Sequence, residues 1–294
     1  MRQTENWHAW AARARVLGLL LLPFLLVALV QANPLAWLNG KLEKEIRSEY
    51  SHIRIRRDGN LRSLLFVRDN GQEVIESSID LNQPHRLLLE YTRYMFLSYA
   101  VKPRQERVLI VGLGGGAMVH FLTRFDPQVK VDVVEIDPAV VQVAADYFGV
   151  RSQGNVNIIT VDAFKYLAES QIPYDVIYMD AFLKPSGDTD STGVPLKLKQ
   201  VQFYRSLART LKPDGLVVFN LNPHAGLRED VQTIASAFPQ AYLWRLPEST
   251  GVVVAASLVP QRESISTIGR RAREADARLR ADFSLARMAA GMSR

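Results

Sequence analysis

The chain has 294 residues, 48% of them hydrophobic, enough to bury the core of one large α/β domain with an appendage. It has no cysteine, which excludes disulfides and thiolate chemistry, and its five histidines form no HxH or HxxxH pair, so no metal is expected. The net charge of +6 invites a nucleic-acid partner, but eight arginines lie beyond Pro260 and no aromatic-interleaved basic motif accompanies them, so none is expected.

The first element is Val16–Val30, an uncharged run of 15 residues behind Arg2, Arg13 and Arg15. At ~1.5 Å per residue it spans about 22 Å, short of the ~30 Å hydrocarbon core. The basic leader, the apolar run and Val30-Gln31-Ala32 also fit a signal peptide. Residues 1–38 are therefore expected to be a membrane anchor or a cleaved leader, making the chain membrane-associated or exported. A buried core helix is the third reading. Charge leaves the orientation open, since Lys41, Lys44 and Arg47 follow the run.

From residue 43 to 80 short alternating segments surround Asp58-Gly59-Asn60 and Asp69-Asn70-Gly71, the pattern of a small antiparallel β-meander. Pro84 opens a predicted helix to Ala100, with Leu88, Tyr91, Met95 and Tyr99 as its buried stripe. Residues 84–258 then alternate strand and helix. Val108–Val111 leads into the turn Gly112-Leu113-Gly114-Gly115-Gly116-Ala117, a helix follows, and Val131–Ile136 carries Glu135 near its end. Strand, glycine turn, helix, strand and acid make the fingerprint of a nucleotide-binding βαβ unit.

Asp137 and Pro138 cap the next predicted helix, to Phe148. Strand Val156–Val161 ends in Asp162-Ala163, helix Phe164–Glu169 follows, and strand Tyr174–Met179 ends in Asp180. A long aperiodic loop covers 181–195, and such loops are usually functional or disordered. A helix over 198–211, a strand over 216–220, a helix over 227–237 and strands over 241–245 and 252–257 complete the pattern. The expected fold is α/β, a Rossmann-like, doubly wound, mostly parallel seven-stranded sheet of methyltransferase type behind the meander. Residues 261–294 are expected to be a solvated helix or partly disordered.

Ligands of open α/β sheets sit beyond the carboxyl ends of the strands, near the topological switch point. Four strand ends here carry telling groups. The turn Gly112, Gly114, Gly115 and Gly116 can hold a donor's tail, Glu135 a ribose, and Asp162 can accept from an adenine amino group; Asp180 faces the reacting end. Each acid has a plainer reading, Glu135 as a strand-end acid and Asp162 and Asp180 as helix or loop caps.

The segments RVLIVGLGGGA, VVEIDP, VDAF, YDVIYMDAF and LKPDGLVVFN, with the meander in front, resemble the spermidine synthase (polyamine aminopropyltransferase) family and its methyltransferase-like relatives over about 43–257. The resemblance implies decarboxylated S-adenosylmethionine or S-adenosylmethionine as donor, without metal, and a small amine or polyamine as acceptor. It also implies Glu135 on ribose, Asp162 and Ala163 on adenine, and Asp180 as the acid beside the acceptor amine. Self-association into a homo-oligomer is compatible with it.

The sequence departs from that family at informative positions. Gly115 stands where an acid recognises the donor's aminopropyl amine, Leu183 where a second acid follows the catalytic one, and Ser51 where a glutamine is expected. An acid at position 115 would repel a donor carboxylate by ~4 kcal/mol at 4 Å and a dielectric of about 20, roughly a thousandfold preference. Its absence permits S-adenosylmethionine and methyl transfer alongside aminopropyl transfer. Asp188 and Asp190 could attract a polycationic acceptor or simply solvate the loop. The rival classes are a nicotinamide-dependent dehydrogenase, which leaves Asp162 and Asp180 unused, and a non-catalytic nucleotide-binding module.

Overall fold

The alternation of apolar and charged residues on both sides of tight turns folds β1 (Lys41–Arg47), β2 (His52–Asp58), β3 (Leu61–Val67) and β4 (Glu73–Asp80) into a four-stranded antiparallel meander. These come from a computed structural model that describes residues 40–183 and 186–293. Ile53, Ile55, Leu64 and Ile79 are buried on its inner face. On the other, Arg54 and Arg56 both pair with Glu73, the latter through Nε and Nη2 at 2.7 and 2.8 Å.

The second sheet runs in the order β12-β10-β11-β9-β8-β5-β6-β7. Its parallel part is β5 (Arg107–Val111), β6 (Lys130–Glu135), β7 (Val156–Thr160), β8 (Tyr174–Met179) and β9 (Leu211–Leu221). Every residue of β8 is buried, as expected of a strand covered on both faces. Antiparallel β11 (Val252–Ser257), β10 (Gln240–Arg245) and β12 (Met292–Ser293) extend one edge. The expected seven strands are present; the eighth, β12, is a two-residue addition from the tail.

Helices α3 (Ala117–Phe125), α4 (Pro138–Tyr147), α5 (Ala163–Glu169) and α7 (Leu227–Ala237) connect the strands. Because β5 pairs with β6 on one side and β8 on the other, the chain reverses its direction of winding at β5. The crevice at that point opens at the glycine turn and at Asp180, which follow β5 and β8.

Three expectations change. The helix over 84–100 is two short pieces, α1 (Glu90–Met95) and α2 (Ser98–Val101). Asp80 draws the preceding chain into a turn by accepting the Asn82 N–H, and helix begins only after Leu89. Residues 198–211 likewise hold only α6 (Val201–Ser206) between two 3₁₀ turns. The tail is helical as expected, but one face of it is buried and not solvated. Ser264 caps α8 (Ile265–Leu279), which buries Ile268, Ala272, Ala275 and Leu279 in the core, and α9 (Leu285–Ala289) follows.

Membrane association is also corrected: among the described residues no helix is long and apolar enough to cross a membrane. The run Val16–Val30 that carried that expectation lies outside the described residues.

Candidate active site

The turn after β5 is shaped by a close approach. Gly112 takes φ +97°, and a Cβ there would lie 2.2 Å from the carbonyl oxygen of Asp180. Its N–H donates to Val134, and the N–H of Asp180 donates to Val111, so the ends of β5, β6 and β8 are laced together. The turn then enters α3 at Ala117. Above it lies a cavity of about 540 Å³.

Gly112, Gly114, Gly116, Glu135, Asp162, Ala163 and Asp180 all line this cavity. Seven of the eight expected site positions are thus brought together; Gly115 is not among the lining residues. A side chain there would meet the Phe148 ring at 2.8 Å and Ser77 Oγ at 2.8 Å, so its outward direction is filled by α4's end and by β4.

Glu135 braces the turn. Its Oε2 accepts the Leu113 N–H and its Oε1 the Asp137 N–H, both at 2.9 Å. Burial raises its pKa, against the pull of those backbone hydrogen bonds. Each oxygen keeps a lone pair for a hydroxyl in the cavity. Asp162 accepts the Phe164 N–H at 2.7 Å, so it caps α5 while lining the same cavity. Capping α5 and lining the cavity are compatible at this position.

Asp137 does what the sequence assigned and more. Its Oδ1 caps α4 through the Ala139 N–H, and its Oδ2 accepts from Ser48 Oγ at 2.6 Å and from Ser51 Oγ. Ser51, at the place of the expected glutamine, therefore fastens the β1–β2 turn to the start of α4.

Asp180, after β8, is held from two sides. Asn220 Nδ2 donates to Oδ1 at 2.9 Å and the Tyr91 hydroxyl to Oδ2 at 3.2 Å. Burial pushes the carboxyl up to about 6, and the hydrogen bonds from Asn220 and Tyr91 pull it back. Across the cavity stands Glu76 on β4, pushed up to about 8 by burial and then by the charge of Asp180. Sequence reasoning placed Tyr91 in a packing stripe and passed over Glu76 and Asn220. The available signal for Asn220 was one amide interrupting the apolar run Leu216–Leu221.

Asp190, His224 and Asp230 bring possible metal-ligand atoms within 4.8 Å of one another. The Lys199 ammonium already stands among them, 2.7 Å from Asp190, 2.5 Å from Asp230 and 3.2 Å from His224 Nε2. Asp190 also accepts from the N–H groups of Thr192 and Val194, so it shapes its loop and is not free to attract an acceptor. Asp188 lines the cavity and is exposed.

A meander in front of a sheet wound this way, with its crevice at the glycine turn, defines a Rossmann-like protein of the methyltransferase fold. The sequence places it more narrowly. Residues 91–245 match the Spermine/spermidine synthase domain, and the chain belongs to that family of transferases. A polyamine aminopropyltransferase of Vibrio vulnificus is 29% identical over 219 residues, 73% of this chain and 71% of that protein. A probable spermidine synthase of Corynebacterium glutamicum superposes with a TM-score of 0.62 at 25% identity, over 78% of this chain and 86% of that one. Human methyltransferase-like protein 13, solved in complex with SAH, shares the fold with a TM-score of 0.61 at 24% identity, over 67% and 95%.

Proposed function

We propose that the protein transfers an aminopropyl group from decarboxylated S-adenosylmethionine to a polyamine, with Asp180 as the base. The observation that carries this reading is Asp180 itself, a carboxylate fixed by Asn220 and Tyr91 at the wall of the cavity with its pKa near 6. Glu135 would take the ribose, Asp162 and Ala163 the adenine, and Gly112, Gly114 and Gly116 the donor's tail.

In the step, the lone pair of a neutral acceptor amine attacks the propyl carbon bonded to the sulfonium. The carbon–sulfur bond breaks with its electron pair going to sulfur, which leaves as a neutral thioether. Asp180 accepts the proton released by the new ammonium. Alignment of two reactants is worth up to ~7–11 kcal/mol and the base ~10²–10⁴-fold. A pKa near 6 leaves Asp180 mostly ionised at neutral pH and still basic enough to accept.

The test is product formation by the purified chain. Release of methylthioadenosine from decarboxylated S-adenosylmethionine, dependent on a diamine or polyamine and lost in Asp180→Asn, supports the proposal. No release with any polyamine defeats it. Methyl transfer from S-adenosylmethionine to an amine or protein acceptor is the second reading. Gly115 favours it, because that position holds no charge against a donor carboxylate and its outward direction is filled by Phe148 and Ser77. Preference for the carboxylated donor would select it.

A further inference from the structure

We infer that Glu76 is the second carboxylate of the reacting end, a specificity-determining residue that holds a primary ammonium group beside Asp180. The inference deepens the transferase reading above and rests on it.

The geometry comes from β4. Ser77 lies against the glycine turn, its Cβ 3.5 Å from where a Cβ of Gly114 would stand and its Oγ 2.8 Å from that of Gly115. One residue earlier, the carbonyl oxygen of Glu76 is 3.4 Å from the Tyr91 hydroxyl, which also reaches Asp180 at 3.2 Å. The backbone of Glu76 is thus placed between the glycine turn and the proposed base, and its residue lines the cavity they share. Among the described residues, no side-chain or backbone donor is hydrogen-bonded to its carboxylate, whereas both oxygens of Asp180 are taken.

The family pattern asks for acids at positions 115 and 183, and the chain has Gly115 and Leu183 there. A site for a cationic amine with Asp180 alone would be short of negative charge. Glu76 supplies one from a different strand. A bystander acid in this place would be unfavourable, since burial and the charge of Asp180 outweigh the attraction of Arg68 unless a further cation enters between the two carboxylates.

The free protein answers this by keeping a proton on Glu76, whose pKa near 8 reflects burial and the charge of Asp180, opposed by Arg68. Tyr91 also faces the pair, and Glu135, Asp162, Asp188 and Lys197 line the same cavity. An entering ammonium would displace the Glu76 proton. The ammonium has two sources, the aminopropyl amine of the donor or an amine of the acceptor.

Calorimetric titration of the full chain separates them with three probes: methylthioadenosine, which has no ammonium, decarboxylated S-adenosylmethionine, and putrescine added to the methylthioadenosine complex. Glu76→Gln is expected to leave methylthioadenosine affinity within twofold. It should weaken the decarboxylated donor at least tenfold if Glu76 reads the donor, or putrescine at least tenfold if it reads the acceptor. Unchanged affinity for both, or a wild-type chain that binds neither ammonium probe, overturns the inference. Wild-type chain that binds putrescine but not methylthioadenosine would instead defeat the donor reading, while loss of putrescine in Glu76→Gln would still uphold this one. A readout independent of the variant's folding is proton release, measured as the change in binding enthalpy between buffers at pH 7. Wild type should release a fraction of a proton to each ammonium probe that Glu76 reads; release of none overturns the assignment.

Discussion

Asn220 Nδ2 donates to Oδ1 of Asp180 over 2.9 Å, across the join between β9 and the end of β8. The bond does two things. It sets the direction of the carboxylate toward the cavity, and it stabilises the ionised form against burial.

Two consequences for activity follow from that bond. Asp180→Asn should lower kcat by ~10²–10⁴-fold, the usual worth of a general base, with donor affinity little changed. In wild type, kcat/KM should fall about tenfold per pH unit below about 6, where Asp180 takes up its proton. Asn220→Leu removes the larger of the two hydrogen bonds that hold the pKa down, so its acid limb should move to higher pH. Tyr91→Phe should move it the same way by less. A pH profile that Asn220→Leu leaves in place would show that the amide does not tune the base.

Stability of the free protein should run the other way. The folded-state pKa values of Asp180 and Glu76 are raised above the ordinary carboxylate range, to about 6 and about 8. Their contribution is therefore fully present below about pH 4 and is lost as pH rises through 6 and then 8. Asp180→Asn and Glu76→Gln should each stabilise the free protein at pH 7.5, by on the order of 2 kcal/mol, since one pKa unit corresponds to about 1.4 kcal/mol. Thermal melts at pH 5 and pH 7.5 check this; the gain should shrink at the lower pH. A site that is less stable with its own acids than without them is the usual mark of function over stability.

The glycine turn makes a geometric prediction. A methyl at Gly112 would stand 2.2 Å from a backbone carbonyl that two strands hold in place, so Gly112→Ala should unfold the turn or the protein. At Gly115 the obstacles are side chains, the Phe148 ring and Ser77 Oγ, and φ is not in the left-handed region. Gly115→Ala should therefore cost about 1–3 kcal/mol and be partly relieved by Phe148→Leu. Denaturant midpoints of the two single variants and the pair measure that coupling. Additive losses would mean that Phe148 is not what fills the position.

What the sequence revealed follows from how far each signal reaches. The Rossmann-like sheet was legible because its strands are continuous apolar runs and acids end them: Glu135, Asp162 and Asp180 are strand-end residues brought to one cavity by topology alone. Glu76 was not legible. It sits inside an alternating strand where an acid is ordinarily a solvated outward residue, and only the packing of β4 on the glycine turn brings it to the cavity. Tyr91 reads as helix stripe for the same reason, and α8 reads as solvent-facing because two of the four residues in its buried stripe are alanines, set among arginines. Residues that act through a neighbouring element leave no local period to find.

The loop that follows Asp180 is tied down by one partly buried cation. Lys199 lies between Asp190 of the loop and Asp230 of α7, with His224 beside it, and burial is outweighed by the hydrogen bonds to the two acids, so its pKa is raised. The same contacts, working against burial, hold Asp190 below the ordinary carboxylate range. That share of stability is present at neutral pH and is lost as pH falls into the acid range. Lys199→Met would leave two nearby carboxylates without their cation, a loss of about 1–3 kcal/mol for charged groups left without a partner. Leu183, Asp188 and Leu196, which line the cavity from this segment, would lose their anchor, so KM should rise and limited proteolysis should cut within 186–195 first. Lys199→Met with Asp190→Asn removes the excess charge and should recover part of the melting temperature but little of the KM, because the bridge to α7 stays broken. Full recovery of both would show that charge balance, and not the bridge, holds the loop.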